Sequence, residues 1–231
     1  MTTKSLFENS EMYYKKSNIY EIFSNAEDKP NKIYKFFLPI IKNKIVLDLG
    51  CGNGKYLELF SKHAKLIYGL DKSKSQLQSA QKKTKNYSNI ILMNSDVEKI
   101  PLENNNVDLI FASWVLGTIE NLKKRMKIIN EAKRILKPQG SFYLIENDYG
   151  GEFEDIRGRV NDPLKRTINY NNWLTKIGFQ EVKQIKTYFE FQSINECKKI
   201  IGTIWGQEAS QKCHSNIINH LIGIKKLDKV R

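Results

Sequence analysis

Residues Ile45 to Gly54 read Ile45-Val46-Leu47-Asp48-Leu49-Gly50-Cys51-Gly52-Asn53-Gly54. An apolar run broken only by Asp48 is what a strand buried on both faces of a parallel sheet needs. It enters a loop with glycine at 50, 52 and 54, where the missing Cβ lets the backbone turn sharply and approach a ligand. The stretch Lys55-Tyr56-Leu57-Glu58-Leu59-Phe60 then opens a helix, with apolar side chains at 56, 57, 59 and 60. Strand, glycine turn and helix together begin a nucleotide-type site in a doubly wound sheet.

The spacing narrows the choice. A dinucleotide fold carries G-x-G-x-x-G, whereas this chain has G-x-G-x-G with Lys55 where the third glycine would fall, and it has no phosphate-loop pattern. Lys65 to Asp71 is a second apolar strand ending in a carboxylate. Asp71 lies 21 residues beyond Gly50, near the ~20 expected of an acid that accepts both vicinal ribose hydroxyls. Ser73 caps a helix to about Lys85, with Leu77 and Ala80 inward. Asn89 to Asn94 and Val107 to Ser113 read as the next strands. Glu120 to Leu136 is an amphipathic helix, with Leu122, Met126, Ile129, Ala132 and Ile135 on its inner side. Leu136 to Gly140 closes it, and Ser141 to Glu146 is the fifth strand. Tyr170 to Ile177 reads as a helix ended by Gly178, Phe179 to Phe191 as a strand, 193 to 206 as a helix, and Asn216 to Lys226 as the last strand. Ahead of the sheet, Pro30 divides residues 1–41 into two aromatic-rich helices, and Pro39 ends the second.

The stretch Asp48 to Gly54 resembles the first motif of class I S-adenosylmethionine-dependent methyltransferases. Glu131-Ala132-Lys133-Arg134-Ile135-Leu136-Lys137-Pro138-Gln139-Gly140 resembles that family's R-x-L-K-P-G-G turn, with Gln139 in place of the first glycine. The resemblance implies a mostly parallel, seven-stranded Rossmann-like α/β sheet, doubly wound, with helices on both faces and an antiparallel final strand. It implies S-adenosyl-L-methionine as cofactor, held by Asp48, Gly50, Cys51, Gly52, Gly54, Asp71, Lys72, Asp96, Val97 and Ser113. In that family an acid at the position of Asp96 accepts from the adenine amine, and the next residue, here Val97, packs on the ring. Asp48 either orients the glycine loop or meets the amino group of the cofactor through water. Tyr14, Trp114, Asp148, Tyr149 and Arg157 are the candidates for the methyl acceptor. Residues 1–41 are expected as a lid, 42–231 as the cofactor-binding domain, and 148–170 as a substrate-side insertion. Enzymes that methylate base amines of DNA carry N-P-P-Y after the fourth strand. Ala112-Ser113-Trp114-Val115-Leu116-Gly117 stands there instead and argues against that substrate. Many small-molecule members carry a histidine a little further on. Gly117 and Thr118 occupy that place, so a histidine base is not expected.

Composition bounds the rest. At 231 residues, 40% apolar and 11% aromatic, the chain suits one globular α/β domain with additions. No apolar stretch approaches a membrane span, and no secretory leader is visible. Cys51, Cys197 and Cys213 show no C-x-x-C spacing, which favours a reduced, cytoplasmic protein without a structural zinc. His63, His214 and His220 are scattered, and both His63 and His220 are expected far from the carboxyl ends of the central strands. A metal site is not expected. The net charge of +13 raises a nucleic-acid partner. The basic residues are spread along the chain without a block of five or six, which favours a compositional origin. The expected partner is a small-molecule methyl acceptor, with tRNA or rRNA as the alternative.

Overall fold

The computed structural model describes residues 17–157 and 163–229. In chain order these form α1 (Ser17–Ala26), α2 (Lys32–Ile41), β1 (Ile45–Leu49), α3 (Lys55–Ser61), β2 (Leu66–Asp71), α4 (Lys74–Thr84), β3 (Ile90–Asn94) and β4 (Val107–Ser113). A 3-10 turn (Leu116–Thr118), α5 (Leu122–Ile135), β5 (Leu136–Asn147), α6 (Glu152–Arg157) and α7 (Pro163–Lys176) follow. The chain closes with β6 (Gln180–Glu190), α8 (Ile194–Trp205), α9 (Gln207–Gln211) and β7 (Ile217–Asp228).

The strands form one seven-stranded sheet in the order β3-β2-β1-β4-β5-β7-β6. The pairs β1 with β2, β1 with β4, β2 with β3 and β4 with β5 are parallel, and β7 is antiparallel. The order reverses beside β1, and it is outside the carboxyl ends of the strands at such a switch point that open α/β sheets bind ligands. β1 is buried as its apolar run requires. Ser73 caps α4 by accepting the Gln76 amide, and Asn121 caps α5 by accepting the Lys124 amide.

The molecule divides into two compact units. One lies within Met1–Lys32, Asn147–Trp173 and Gln184–Ile222; the other comprises Ile33–Glu146, Leu174–Lys183 and Gly223–Arg231. The second unit carries the β1–β4 part of the sheet. Its core is aromatic: Phe111 meets Phe37 at 5.0 Å between centroids and Phe60 at 5.0 Å, both edge-on, and Phe37 meets Tyr143 at 5.2 Å. Phe37 belongs to α2, whose Ile33, Phe37 and Ile41 are fully buried. This second helix of the 1–41 stretch is a wall of the core, and residues 1–16 of that stretch lie outside the described residues. The first unit has its own aromatic cluster. Phe23 of α1 stacks on Phe189 at 4.9 Å, Phe153 meets Trp205 at 5.4 Å, and His220 lies 4.8 Å from Phe153 and 4.9 Å from Phe189.

Several element boundaries differ from the sequence reading. Pro39 lies inside α2, which runs on to Ile41. The carbonyl whose bond it removes belongs to Lys35, an exposed residue. Leu122 is exposed, and Arg125 takes an inward position on α5, its Nε donating to the Leu116 carbonyl at 3.1 Å. Leu136 to Gly140 is strand rather than turn. Gln139 donates to the Lys229 carbonyl and Lys229 to the Gly140 carbonyl, so β7 draws the segment into the ladder. Gln139 accepts a φ of 66° there, which a glycine would adopt without cost. α7 begins at Pro163, well before Tyr170, and α9 has no counterpart in the sequence reading. His220 is not remote. β7 is antiparallel, so its early residues lie beside the carboxyl end of β5, and His220 Nε2 is 2.8 Å from Asn147 Oδ1. Among the described residues no helix is long and apolar enough to cross a membrane.

Candidate cofactor site

The loop after β1 has a left-handed backbone at each glycine, with φ of 79° at Gly50, 51° at Gly52 and 81° at Gly54. Space also demands glycine at two of them. A Cβ on Gly50 would lie 2.5 Å from Val115 Cγ2, and one on Gly54 would lie 2.9 Å from the Cβ of Ala80 on α4. Gly54 thus brings the loop tight against α4, although the sequence lacks the dinucleotide-fold glycine. The amides of Gly50 and Cys51 both donate to the Leu70 carbonyl, at 2.8 and 3.0 Å. The Gly52 amide donates to Asp71 Oδ2 at 2.9 Å, and the Ser73 amide donates to Asp71 Oδ1 at 2.8 Å. Asp71 therefore ties the glycine loop to the end of β2. Burial pushes its carboxyl above the usual range, against the amides of Ser73 and Gly52 and the charge of Lys72.

Asp48 behaves differently. Its side chain is buried, and neither carboxylate oxygen has a hydrogen-bond partner among the described residues. Burial first, and the nearby charge of Asp71 second, push its carboxyl well above the usual range. Asp48 makes no hydrogen bond to the loop, which the Leu70 carbonyl and the Asp71 carboxylate hold. Asn53 Nδ2 in the same loop is likewise buried without a partner. Cys51 is buried, and its thiol is pushed up by burial and then by the charges of Asp48 and Asp71.

At the next strand end Asn94 Nδ2 donates to the carbonyls of Asp71 and Lys72, both at 3.0 Å, which fixes β3 against β2. The Ser95 amide donates to the Asp71 carbonyl at 3.2 Å. Asp96 is exposed in the turn that follows, with Oδ1 accepting the Glu98 amide at 2.9 Å, and Val97 beside it is half-buried. Lys72 is exposed, and Ser113, half-buried, ends β4. The sequence reading missed Asn53, Asn94 and Val115. Asn53 was legible as a polar residue flanked by two glycines of the loop. Val115 carries no local signal, because its role depends on β4 lying beside β1.

A family profile described as methyltransferase domain matches residues 47–144. That stretch is less than half of the chain and is similar to class I S-adenosylmethionine-dependent methyltransferases. The chain is similar to phosphoethanolamine N-methyltransferase 1 of Triticum aestivum, 30% identical over 140 residues that cover 59% of this chain and 27% of that protein. It therefore spans about a quarter of that relative's length. It is also similar to demethylmenaquinone methyltransferase of Staphylococcus haemolyticus, 28% identical over 215 residues covering 80% of this chain and 88% of the relative. In fold it resembles the N-methyltransferase NodS of Bradyrhizobium japonicum WM9, solved with S-adenosyl-L-homocysteine. That likeness has a TM-score of 0.62 and 16% identity, and covers 97% of this chain and 99% of the other.

The groups of this site fit S-adenosylmethionine. Asp48 is a buried carboxyl lacking a hydrogen-bond donor, and the α-ammonium of the cofactor would supply one. Asp71 accepts the Gly52 amide on one oxygen and the Ser73 amide on the other, and would meet the ribose hydroxyls with the lone pairs that remain. The acceptor-side candidates are dispersed. Tyr14 lies outside the described residues. Trp114 follows Ser113 with a φ of 54°. In the first unit Asp148 is buried and engaged, with Oδ1 accepting the Tyr149 amide at 2.9 Å and Oδ2 accepting Gln184 Nε2 at 2.9 Å. Tyr149 is 48% exposed. Arg157 is buried, paired with Glu154 and seated over the Phe153 ring. Its charge thus has an internal partner, which the charge pattern alone did not foretell.

Proposed function

We propose that this chain transfers a methyl group from S-adenosylmethionine to a nitrogen or oxygen of a small-molecule acceptor. When bound, the donor supplies an electrophilic methyl on a sulfonium, which the acceptor displaces in line to leave S-adenosylhomocysteine. The observation that carries this reading is the unpartnered Asp48 carboxylate beside a glycine loop that Asp71 already holds in place. The chain's part is to fix the donor's two ends and exclude water, and alignment of this kind is worth on the order of 7–11 kcal/mol of barrier. The small-molecule class draws support from relatives named for phosphoethanolamine and demethylmenaquinone. The absence of N-P-P-Y after β4 also supports it.

The net charge of +13 favours a second reading, in which the acceptor is a nucleotide of tRNA or rRNA. Such binding falls steeply as salt rises, and small-acceptor turnover does not. The deciding experiment is thermal melting with S-adenosylmethionine, S-adenosylhomocysteine and NAD, followed by assay of S-adenosylhomocysteine release with small acceptors and with tRNA. A ligand at 100 times its Kd stabilises by about 2.7 kcal/mol. A rise with the two sulfur nucleosides and none with NAD is expected. No rise with either nucleoside would refute the reading. Binding with no release from any acceptor would leave a donor-binding protein without turnover.

A further inference from the structure

The lysines of this chain are dispersed in sequence, yet folding gathers a group of them in the second unit. Lys42 and Lys44 lie in the loop between α2 and β1, and Lys62 and Lys65 in the loop between α3 and β2. Two backbone hydrogen bonds join these loops: the Asn43 amide donates to the His63 carbonyl at 3.0 Å, and the Lys65 amide to the Lys44 carbonyl at 2.9 Å. His63 is further fixed by Tyr34, whose hydroxyl lies 3.0 Å from Nε2. All four lysines are exposed, and among the described residues no hydrogen bond or ion pair engages their ammonium groups.

The group continues along the amino ends of the strands, at the opposite end of the sheet from the glycine loop. Ile45 follows Lys44 and gives its amide to Asp108, which also accepts from Lys137 at 3.0 Å. β7 is antiparallel, so its carboxyl end joins the same rim, where the Gln139 amide donates to the Lys229 carbonyl. There Lys133, Lys226 and Lys229 line an open cleft of about 520 Å³. The acids of the rim are mostly matched within it. Asp108 has Lys137, Asp228 has Lys226 at 2.8 Å, Glu181 has Lys225 at 3.1 Å and Glu131 has Arg134 at 2.9 Å, while Glu103 is exposed. The surplus is cationic.

Strands lie about 4.8 Å apart, so a strip from β2 across β1, β4 and β5 to β7 runs about 20 Å. A single phosphate group meets only a fraction of that length, whereas a nucleic-acid backbone lays a row of phosphates along it. An anionic bilayer needs large apolar side chains beside the cations, and no described residue from Lys42 to Lys65 exposes one. Exposed amides at Asn43 and Gln139 interleave with the lysines. An amide both donates and accepts, which suits a ribose 2′-hydroxyl, a group that DNA lacks. We propose that this rim docks RNA by its phosphate backbone, apart from the cofactor site. The inference does not rest on the methyl-transfer reading and goes beyond it.

Fluorescence anisotropy with a tRNA transcript, read at several salt concentrations, tests it. One variant carries Lys42→Gln, Lys44→Gln, Lys62→Gln and Lys65→Gln. A control removes equal charge from exposed positions that follow the carboxyl ends of β2, β3 and β4: Lys74→Gln, Lys99→Gln, Lys123→Gln and Lys127→Gln. The rim variant should weaken binding at least about ten-fold and lower the slope of log Kd against log salt by about 3, since each lost phosphate contact removes roughly 0.7–0.9. The control should stay within about three-fold of wild type. Equal losses from both would mean diffuse attraction and overturn the proposal, as would no binding by the wild type. A DNA duplex that binds as tightly overturns the RNA assignment, and phosphatidylserine vesicles that bind in place of tRNA overturn it in favour of a membrane. If the rim variant fails to fold, acetylation of the wild type decides. Bound tRNA should protect Lys42, Lys44, Lys62 and Lys65 and leave Lys74, Lys99 and Lys123 reactive, and any other pattern refutes docking here. Saturating S-adenosylhomocysteine should leave the tRNA Kd unchanged. Competition between the two would put the RNA at the cofactor site and overturn a separate rim.

Discussion

The two ends of β1 treat a carboxylate in opposite ways. At the amino end Asp108, reaching over from β4, accepts the Ile45 amide at 2.8 Å and Lys137 Nζ at 3.0 Å. Partial burial pulls its carboxyl up, but the amide and the lysine win and hold it below the usual range. Three residues along the same strand Asp48 has neither amide nor cation, and burial with the Asp71 charge drives it up. The chain completes its own bonding at one end and leaves it unfinished at the other. An unfinished group of this kind costs stability and persists where a ligand completes it.

The harshest way to break this contrast is to close the glycine loop. Gly54→Ala forces an L residue to φ 81° with its Cβ 2.9 Å from that of Ala80. Strain and overpacking together should remove about 3 kcal/mol of stability in urea unfolding and abolish S-adenosylhomocysteine binding. A variant of wild-type stability would mean that the loop is not held as described.

Asp48→Asn should separate the two roles of the unfinished end. By calorimetry the S-adenosylhomocysteine affinity should fall by roughly 1.5–3 kcal/mol, the range for a bond to a charged group. The ligand-free protein should become more stable near pH 8. The sign follows from the direction of the shift: a carboxyl raised on folding gives stability that is fully present below its unfolded pKa. That stability is lost as pH rises through the folded value. Removing the charge removes the loss. If the ligand-free variant melts lower than wild type at pH 8, Asp48 has a partner of its own and the comparison fails.

Asp71→Ala should weaken S-adenosylhomocysteine by roughly 1–3 kcal/mol, and it also frees the Gly52 and Ser73 amides. Unchanged affinity in titration would sink the ribose assignment. The smallest effect belongs to the amino end. Asp108→Asn should cost about 1 kcal/mol of stability, modest because the ion pair is part-exposed, and leave cofactor affinity untouched. Here the sign is reversed. The contribution is present above the unfolded pKa and lost as pH falls through the lowered folded value, so wild type and variant should converge in acid. A change in affinity would show that the two ends are not separate.

Most of the cofactor side was legible in the sequence because its signals are local. Strand, glycine loop and the Asp71 spacing occupy 27 consecutive residues, 45 to 71, and each obeys a rule of backbone sterics or hydrogen bonding. What escaped depends on contacts between distant segments. Val115 against Gly50, and Gly117 against Glu146, exist only once β4 lies between β1 and β5. The place of His220 was misjudged although an antiparallel final strand was expected, because which strand β7 lies beside, and in what register, is not written in periodicity. Arg157 and Asp148 were read by charge alone, and charge does not show that a side chain already has Glu154 or Gln184 beside it.

The packing of α2 sets where this domain can be cut. Phe37 fills the space against Phe60, Phe111 and Tyr143, with Ile33 and Ile41 as deeply enclosed on the same helix. A shortened polypeptide starting at the first strand would bare the three rings that Phe37 covers, Phe60, Phe111 and Tyr143, and be expected to aggregate during expression. One starting just before Lys32 would keep that face sealed but strip Phe23 from Phe189, so the cut that spares both aromatic clusters lies ahead of α1.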